Sequence, residues 1–362
     1  MTILITGGAG FIGSNFILDW AAGSNEKIIN LDKMTYAGNP DNLFHLNPEV
    51  YELVVGDICD PETVKNILEK HKPRAILNLA AESHVDRSIY APAEFMTTNV
   101  MGTFNLLESS RAYYDTLTGP QKDRFRFLHV STDEVFGSLE PADPPFSEES
   151  PYRPNSPYSA SKAAADHLVR AYFKTYNLPV LTTNCSNNYG PRQFPEKFIP
   201  LLILNAAYGH SLPIYGDGLQ VRDWIYVTDH CTAIRNVLQF GQPGETYNIG
   251  GQAEKNNLDV ARAICQIIDQ ERPRDDGQSH AIQITHVTDR PGHDRRYAIC
   301  GIKIDRKLGF TPRWSFEEGL AMTVDWYLNN PKWVERVRSG TYREWLDLHY
   351  GQKAPESQEK KL

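Results

Sequence analysis

The sequence predicts an α/β fold, a doubly wound parallel sheet followed by a smaller C-terminal lobe, and three observations lead there. The apolar run Ile3 to Thr6 passes at once into glycines and then into Phe11 to Trp20 at helical spacing, which reads as strand, tight turn, helix. Strand-like runs then alternate with helical stretches as far as residue 185, the pattern of a parallel sheet with crossover helices. Beyond residue 185 that alternation lapses into short motifs, as a second lobe would require.

Taken in order, the strands are expected at Ile3 to Thr6, KIINLD (27–32), YELVVGD (51–57), AILNLA (75–80), RFLHVS (126–131) and VLTTNC (180–185). Helices fit 61–71, 94–115 and 158–176, and Pro61 stands at the opening of the first, where a proline's missing N–H costs nothing. The stretch 138–157 holds six prolines and several acids, so it is expected as a surface loop crossing the C-terminal edge of the sheet. NNYGP, FPEKFIP, LPIYGDG and RDWIYV then mark the lobe. The expected division is 1–183 with 224–250 for the sheet domain and 184–223 with 251–350 for the lobe, leaving 351–362 as a disordered tail.

Composition narrows the function classes. At 362 residues the chain fits two domains of roughly 150 residues or one sheet domain with an added lobe. Its 41% hydrophobic and 23% charged residues are globular values. With 37 Lys and Arg against 45 Asp and Glu the formal charge is −8, so no global basic field draws it to nucleic acid or anionic lipid, and any phosphate must be held locally. No apolar run approaches the roughly 20 residues of a membrane span, and MTILITGGAG lacks the parts of a signal peptide, so a cytoplasmic address is expected. The five widely spaced cysteines form no CxxC and the histidines no HExxH, so neither a disulfide framework nor a metal site is expected.

Gly7, Gly8, Gly10 and Gly13 satisfy both GxxGxxG and GxGxxG at the junction of first strand and first helix. Glycine there lets the backbone approach a pyrophosphate, which the helix N-terminus at Phe11 and Ile12 then binds through its N–H groups and dipole. Asp32 closes the second strand 19 residues after Gly13, where an acid accepts from adenosine ribose hydroxyls and repels a 2′-phosphate. The reading is a Rossmann-type dinucleotide site for NAD rather than NADP, softened by Lys33, with Asp57 at the end of the third strand either facing the adenine or capping.

Tyr158 and Lys162 in PYSASK stand four apart on one helix face, and an ammonium beside a phenol favours the phenolate as a base. Ser131-Thr132-Asp133-Glu134 follows the fifth strand. A hydroxyl beside the Tyr/Lys pair suffices for reversible oxidation of an alcohol, whereas two adjacent carboxyls supply the acid and the base that loss of water requires.

With these residues the chain resembles the extended short-chain dehydrogenases/reductases, and within them the dTDP-glucose 4,6-dehydratase family. The matching motifs are TGGAGFIGS, LDKMTYAGN, GDICD, LAAESHVDRSI, STDEVFG, SPYSASKAAADHLV, TNCSNNYGP, PEKFIPL, RDWIYV, YNIGG and DRPGHDRRYA, spread from residue 2 to about 350. The resemblance implies the substrate dTDP-glucose and the cofactor NAD. NAD would be held by Gly7, Gly10, Phe11, Ile12 and Gly13 and by Asp32, Lys33, Thr35, Asp57 and Ile58. Leu79, Ala80, Ala81, Ser83, Thr98, with Asn99 nearby, and Tyr158, Lys162 and Asn188 would complete its site. Substrate contacts would come from Ser83, Thr132, Asn187, Lys197 and Arg222, and at the nucleoside end from Pro213, Tyr215, Asn257, Arg290 and His293.

The implied chemistry gives Tyr158, helped by Lys162 and Thr132, the sugar 4-hydroxyl proton, gives Glu134 the C5 proton, and has Asp133 protonate the departing 6-hydroxyl. Helices 94–115 and 158–176 would pair with their twofold mates in a homodimer. Phe136 stands where the family usually has tyrosine, and Cys300-Gly301 replaces an Asp-Ala-type pair; neither removes a proton carrier. His84 and Asp86 are expected to order a loop, and Trp326, Tyr327, Trp333 and Trp345 to pack. The rival readings are a GDP-mannose 4,6-dehydratase, for which Thr-Ser-Glu is expected, a 4-epimerase, and a non-catalytic NAD-sensing regulator that would have lost part of the Tyr/Lys and acid set.

Overall fold

The structure, a computed structural model, describes residues 1–339. Its strands along the chain are β1 (Thr2–Thr6), β2 (Lys27–Asp32), β3 (Tyr51–Val55), β4 (Ala75–Asn78), β5 (Arg126–Thr132) and β6 (Val180–Cys185). They continue as β7 (Asn187–Tyr189), β8 (Leu212–Tyr215), β9 (Val221–Tyr226), β10 (Thr246–Ile249), β11 (Glu254–Asn256) and β12 (Ile284–Val287). A seven-stranded sheet runs in the order β10-β6-β5-β4-β1-β2-β3. All its pairings are parallel. The strand order reverses between β1 and β4, and in such sheets the crevice beyond the strand C-termini at that point is the ligand site.

Alternation along β1 shows why both faces need cover. Ile3 and Ile5 join Phe16, Trp20 and Ile234 in one core, formed with helices Phe11–Gly23 and Val227–Phe240. Leu4 joins Ile67, Leu106 and Val169 in the other, under helices Pro61–His71, Thr103–Thr116 and Pro157–Tyr176. Pro61 is the N1 residue of its helix, which Asp60 caps by accepting from the Glu62 N–H. The helix expected over 94–115 is compound: an α turn at Pro92–Phe95, a π-helical stretch Met96–Gly102, then Thr103–Thr116. Within the π stretch Asn99 is buried and bonds both backbone groups of Glu82, a local demand that the 3.6-residue pattern does not register. β3 and β4 end two residues sooner than expected, at Val55 and Asn78, because the chain turns there into the crevice.

The proline-rich stretch forms the expected irregular loop, tied to the sheet domain by Arg153 N–H to the Val135 carbonyl and Asn248 N–H to the Glu148 carboxylate. The lobe holds sheets β11-β9-β7 and β12-β8. Its own core includes Ile203, Trp224, Ile264, Leu320 and Tyr327. β6 runs to Cys185, two residues past the expected boundary at 183, and β9 straddles the boundary at 223 while pairing wholly within the lobe. Trp326 and Trp333 pack edge to face in this lobe, whereas Trp345 and the tail 351–362 lie outside the described residues. Among the described residues no helix is long and apolar enough to cross a membrane.

Candidate active site

The glycine turn is built by close approach. Gly7 has φ +70°, and a Cβ on it would lie 2.7 Å from the Ala80 backbone. A Cβ on Gly13 would lie 2.3 Å from the Gly7 carbonyl oxygen, so turn and helix can touch only without a side chain. β2 holds the turn in place: Gly8 N–H donates to Asn30 Oδ1 at 2.9 Å and Ala9 N–H to Asp32 Oδ2 at 2.8 Å. The other Asp32 oxygen accepts from Met34 N–H at 2.8 Å. Asp32 thus organises the turn as well as bordering the crevice, and burial raises its pKa while these two bonds oppose the rise. No side chain caps the helix that opens at Phe11, which leaves its first-turn N–H groups directed at the crevice.

A cavity of about 330 Å³ runs along the strand C-termini. Its wall includes the expected Gly7, Gly10, Phe11, Ile12 and Gly13, then Asp32, Lys33, Thr35, Asp57 and Ile58, and then Leu79, Ala80, Ala81, Ser83 and Thr98. Thr132, Asp133, Glu134, Tyr158, Lys162, Asn187, Asn188 and Lys197 complete the expected set within it. Lys33 is bound to Asp57 at 2.7 Å, and Asp57 also accepts from the Cys59 N–H, so Asp57 both walls the cavity and orders the turn that leads to the Asp60 cap.

Arg222, Pro213, Tyr215, Asn257, Arg290 and His293 are not in that wall. Several of them form a neighbouring cluster. Arg290 pairs with Asp86 at 3.1 Å, the Tyr215 hydroxyl donates to Asp86 at 3.4 Å, and the Tyr215 and His293 rings stand edge to face. Arg222 is buried, donating to the carbonyls of Val221 and Asp294 beneath the Tyr297 ring rather than pairing with Asp217 or Asp223. Asp86 therefore ties the loop after β4 to the lobe, and His84 caps the short helix beside it by accepting from Arg87 N–H.

At the reaction end the two acids occupy unlike surroundings. Asp133 is buried, one of its oxygens has no partner, and burial together with the neighbouring Glu134 raises its pKa well above the usual carboxylate range. Burial also raises Glu134, but the positive charges of Arg290, Arg222 and Lys197 oppose it. The first environment keeps a proton, and the second tolerates a carboxylate.

Tyr158 departs from the simplest reading of a Tyr/Lys pair. Burial and the charge of Glu134 push the phenol well above its ordinary pKa, with hydrogen bonding to Thr132 opposing. Lys162 Nζ donates to the Val130 carbonyl at 2.8 Å and lies 3.5 Å from His129 Nε2. The contacts of the Lys162 ammonium among the described residues are thus with Val130 and His129 rather than with the phenol. Phe136, without the usual hydroxyl, stacks on Phe146 outside this constellation.

Sequence reasoning missed Asn30, which holds the glycine turn, and wall residues of the cavity that include Tyr36, Glu82, Gln193, Phe194 and Glu196. Tyr36 lay within LDKMTYAGN with Asn30 just before it, Glu196 lay within PEKFIPL, and Gln193 and Phe194 just precede that motif. Their meeting across the crevice, with the Arg87 guanidinium over the Tyr36 ring and 3.2 Å from Glu196, is set by the lobe and not by local pattern.

A family model described as GDP-mannose 4,6 dehydratase matches residues 4–323. The dTDP-glucose 4,6-dehydratase of Xanthomonas campestris pv. campestris (strain B100) is 57% identical over 343 residues, 94% of this chain and 97% of that protein. The chain belongs to the dTDP-glucose 4,6-dehydratase family. Family members of known structure share the fold: the enzyme of Bacillus anthracis in complex with NAD aligns with TM-score 0.82 at 45% identity, covering 93% of this chain and 99% of that one. The Streptomyces venezuelae enzyme, also solved with NAD, gives 0.84 at 43% identity, covering 93% and 100%.

Proposed function

We propose that the chain is an NAD-dependent hydro-lyase that converts dTDP-glucose to dTDP-4-keto-6-deoxyglucose and water. The observation that carries this is the unlike pair Asp133 and Glu134 beside Thr132 and Tyr158 in one cavity. An epimerase has no use for two carboxyls there, and Thr132-Asp133-Glu134 departs from the Thr-Ser-Glu expected of a GDP-mannose enzyme.

The cavity fits NAD on its own geometry. The side-chain-free cradle of Gly7, Gly10 and Gly13 and the uncapped helix at Phe11 suit a pyrophosphate, and Asp32 suits an adenosine ribose without a 2′-phosphate. Bound there, NAD supplies the hydride acceptor and the hydride donor. Leu79, Ala80, Ala81 and Thr98 wall the same cavity as these groups and Tyr158.

Tyr158, with Thr132 steering the hydroxyl, takes the proton of the sugar 4-hydroxyl. Oxidation at C4 acidifies the C5 proton, Glu134 removes it, and Asp133 delivers its proton to the 6-hydroxyl as water leaves. Proton return to C5 restores Glu134, and the 4-hydroxyl proton held by Tyr158 passes on to Asp133, which replaces the proton that left in the water. Lys197, which donates to the Ser83 carbonyl at 2.9 Å, and Asn187 stand at the sugar end for the diphosphate. Arg222, Arg290, Tyr215, Pro213, Asn257 and His293 belong to the nucleoside and phosphate end beyond them, reached across the Asp86 cluster.

The exposed apolar side chains Met96, Met101, Phe104 and Tyr176 on the two long helices support a homodimer through that face. Free, buried thiols at Cys185, Cys231 and Cys265 suit a reducing cytoplasm. Mass spectrometry of products from dTDP-, UDP- and GDP-hexoses tests the function: dTDP-glucose should lose one water, and conversion to an epimer of unchanged mass would overturn the reading.

A further inference from the structure

Behind the reaction end lies a buried polar cluster that the chemistry above leaves unused. Asp166 stands one helical turn beyond Lys162, so Tyr158, Lys162 and Asp166 form an i, i+4, i+8 series on helix Pro157–Tyr176. Neither Asp166 nor His129 lines the cavity, and both are buried. Asp166 Oδ2 accepts from the Ser131 hydroxyl at 2.9 Å, the Tyr152 hydroxyl at 2.9 Å and Asn184 Nδ2 at 3.2 Å. Those partners come from β5, the proline-rich loop and β6, so the carboxylate is fixed from three directions. Its other oxygen lies 3.4 Å from His129 Nε2, which in turn is 3.5 Å from Lys162 Nζ.

The imidazole's orientation can be read from its far side. Asn78 Oδ1 is taken by the Thr6 hydroxyl at 2.7 Å, so Asn78 presents its amide N–H to His129 Nδ1 at 3.1 Å. Nδ1 accepts, and the imidazole proton resides on Nε2, pointing at the Asp166 and Lys162 side. A neutral imidazole placed so gives Lys162 no negative charge.

We propose that Asp166 is a positioning residue for this reaction: from beneath the cavity floor it holds Lys162 as the ammonium that Tyr158 requires, with His129 as the neutral spacer between them. The inference rests on the dehydratase reading of the site. The groups acting on Lys162 are His129 from β5, Cys185 from β6 and Asp166 from its own helix, and Tyr158, Asp133 and Glu134 line the same cavity. Burial holds His129 down to about 4 and pushes the Cys185 thiol up to about 12, so both are neutral at working pH. Asp133 keeps its proton and Glu134 is shared among Arg290, Arg222 and Lys197. Asp166 is left as the carboxylate serving Lys162, opposing the burial that otherwise draws the ammonium's pKa down.

The test is the pH profile of kcat for holoenzyme with saturating dTDP-glucose, in wild type, Asp166→Asn and Asp166→Glu. Losing an opposite charge at about 4–6 Å moves a pKa by about 1–3 units, and with His129 between the two groups the lower figure applies. The alkaline limb of Asp166→Asn should therefore move at least about one unit toward lower pH, the acid side should stay near wild type, and Asp166→Glu should bring the limb back. A rate lowered by the same factor at every pH, with the limb unmoved, would make Asp166 a structural residue and overturn the proposal.

A second measurement decides the matter if Asp166→Asn does not fold. In wild-type holoenzyme labelled with ε-¹³C lysine, the Lys162 signal, identified by its loss in Lys162→Met, should report an ammonium throughout the active pH range. A neutral amine where the enzyme is fully active overturns the proposal. This readout needs no turnover, so a wrong sugar assignment cannot imitate its failure.

Discussion

Replacing Asp32 with alanine should do more than remove a ribose acceptor. Its two oxygens accept the Ala9 and Met34 N–H groups, each at 2.8 Å, so the carboxylate is the joint between β2 and the glycine turn. Hydrogen bonds to a charged group contribute about 1.5–3 kcal/mol each, and losing both withdraws about 3–6 kcal/mol from the organisation of the turn and of the loop after β2. If half of that appears in binding, NAD weakens about 10- to 100-fold in Asp32→Ala. Asp32→Asn keeps one acceptor but turns an amide toward one of the two N–H donors, so its loss should fall between alanine and wild type. Because asparagine also removes the negative charge, its NAD to NADP affinity ratio should drop, whereas alanine should gain no absolute affinity for NADP. Calorimetric titration of both cofactors into the three apoproteins measures this. Wild-type NAD affinity in Asp32→Ala would refute the reasoning, since the turn would then stand without its anchor.

Tyr158→Phe should cost at least about a hundredfold in turnover, within the range of a positioned acid or base, while NAD affinity stays near wild type; wild-type turnover contradicts the assignment. Gly13→Ala must push a Cβ to within 2.3 Å of the Gly7 carbonyl oxygen, so the turn has to move. Thermal denaturation should show a loss of about 1–3 kcal/mol together with weakened NAD binding. His230 is buried with its pKa lowered from 6.5 to about 3. The unfolded chain therefore binds the proton first on acidification, and the stability lost begins near the unfolded value and grows as pH falls. Relative to His230→Gln, wild type should lose on the order of 3 kcal/mol between about pH 7 and pH 4 in urea unfolding, and a pH-independent difference would show that the imidazole titrates alike in the folded and unfolded chain.

Features that depend on neighbours in the chain were legible in the sequence. The strand of Ile3 to Thr6, the glycine turn, the helix opening at Pro61 and the helix carrying Tyr158 and Lys162 all follow from local pattern, because each is specified by residues within one or two turns. The acid pair was equally visible as STDE, since both carboxyls arrive on one segment after β5. The different surroundings of those carboxyls were not, for the cations beside Glu134 come from residues 197, 222 and 290 in the lobe. The double duty of Asp32 was hidden likewise, because a hydrogen bond across 23 residues to Ala9 leaves no periodic trace. Burial reverses the naive expectation for Tyr158: four-residue spacing brings an ammonium to the same helix face, but packing directs Lys162 to Val130 and His129. The π stretch at Met96–Gly102 was read as part of one helix because what distinguishes it, the inward bonds of Asn99 to both backbone groups of Glu82, comes from a segment 17 residues away.

In the proposed mechanism Asp133 and Glu134 serve elimination while Tyr158, Lys162 and Thr132 serve oxidation. Its most direct test mixes NAD-loaded Asp133→Asn and Glu134→Gln with dTDP-glucose in deuterated solvent, following reduced-nicotinamide absorbance and the mass and deuterium content of the sugar. Both variants keep shape and hydrogen-bonding capacity but lose proton exchange. Reduced nicotinamide should accumulate and persist, the sugar should be a 4-keto hexose that still bears its 6-hydroxyl, and Glu134→Gln should lose C5 deuterium exchange along with turnover. Dehydration at the wild-type rate in both variants would contradict the account, leaving the segment after β5 a structural turn.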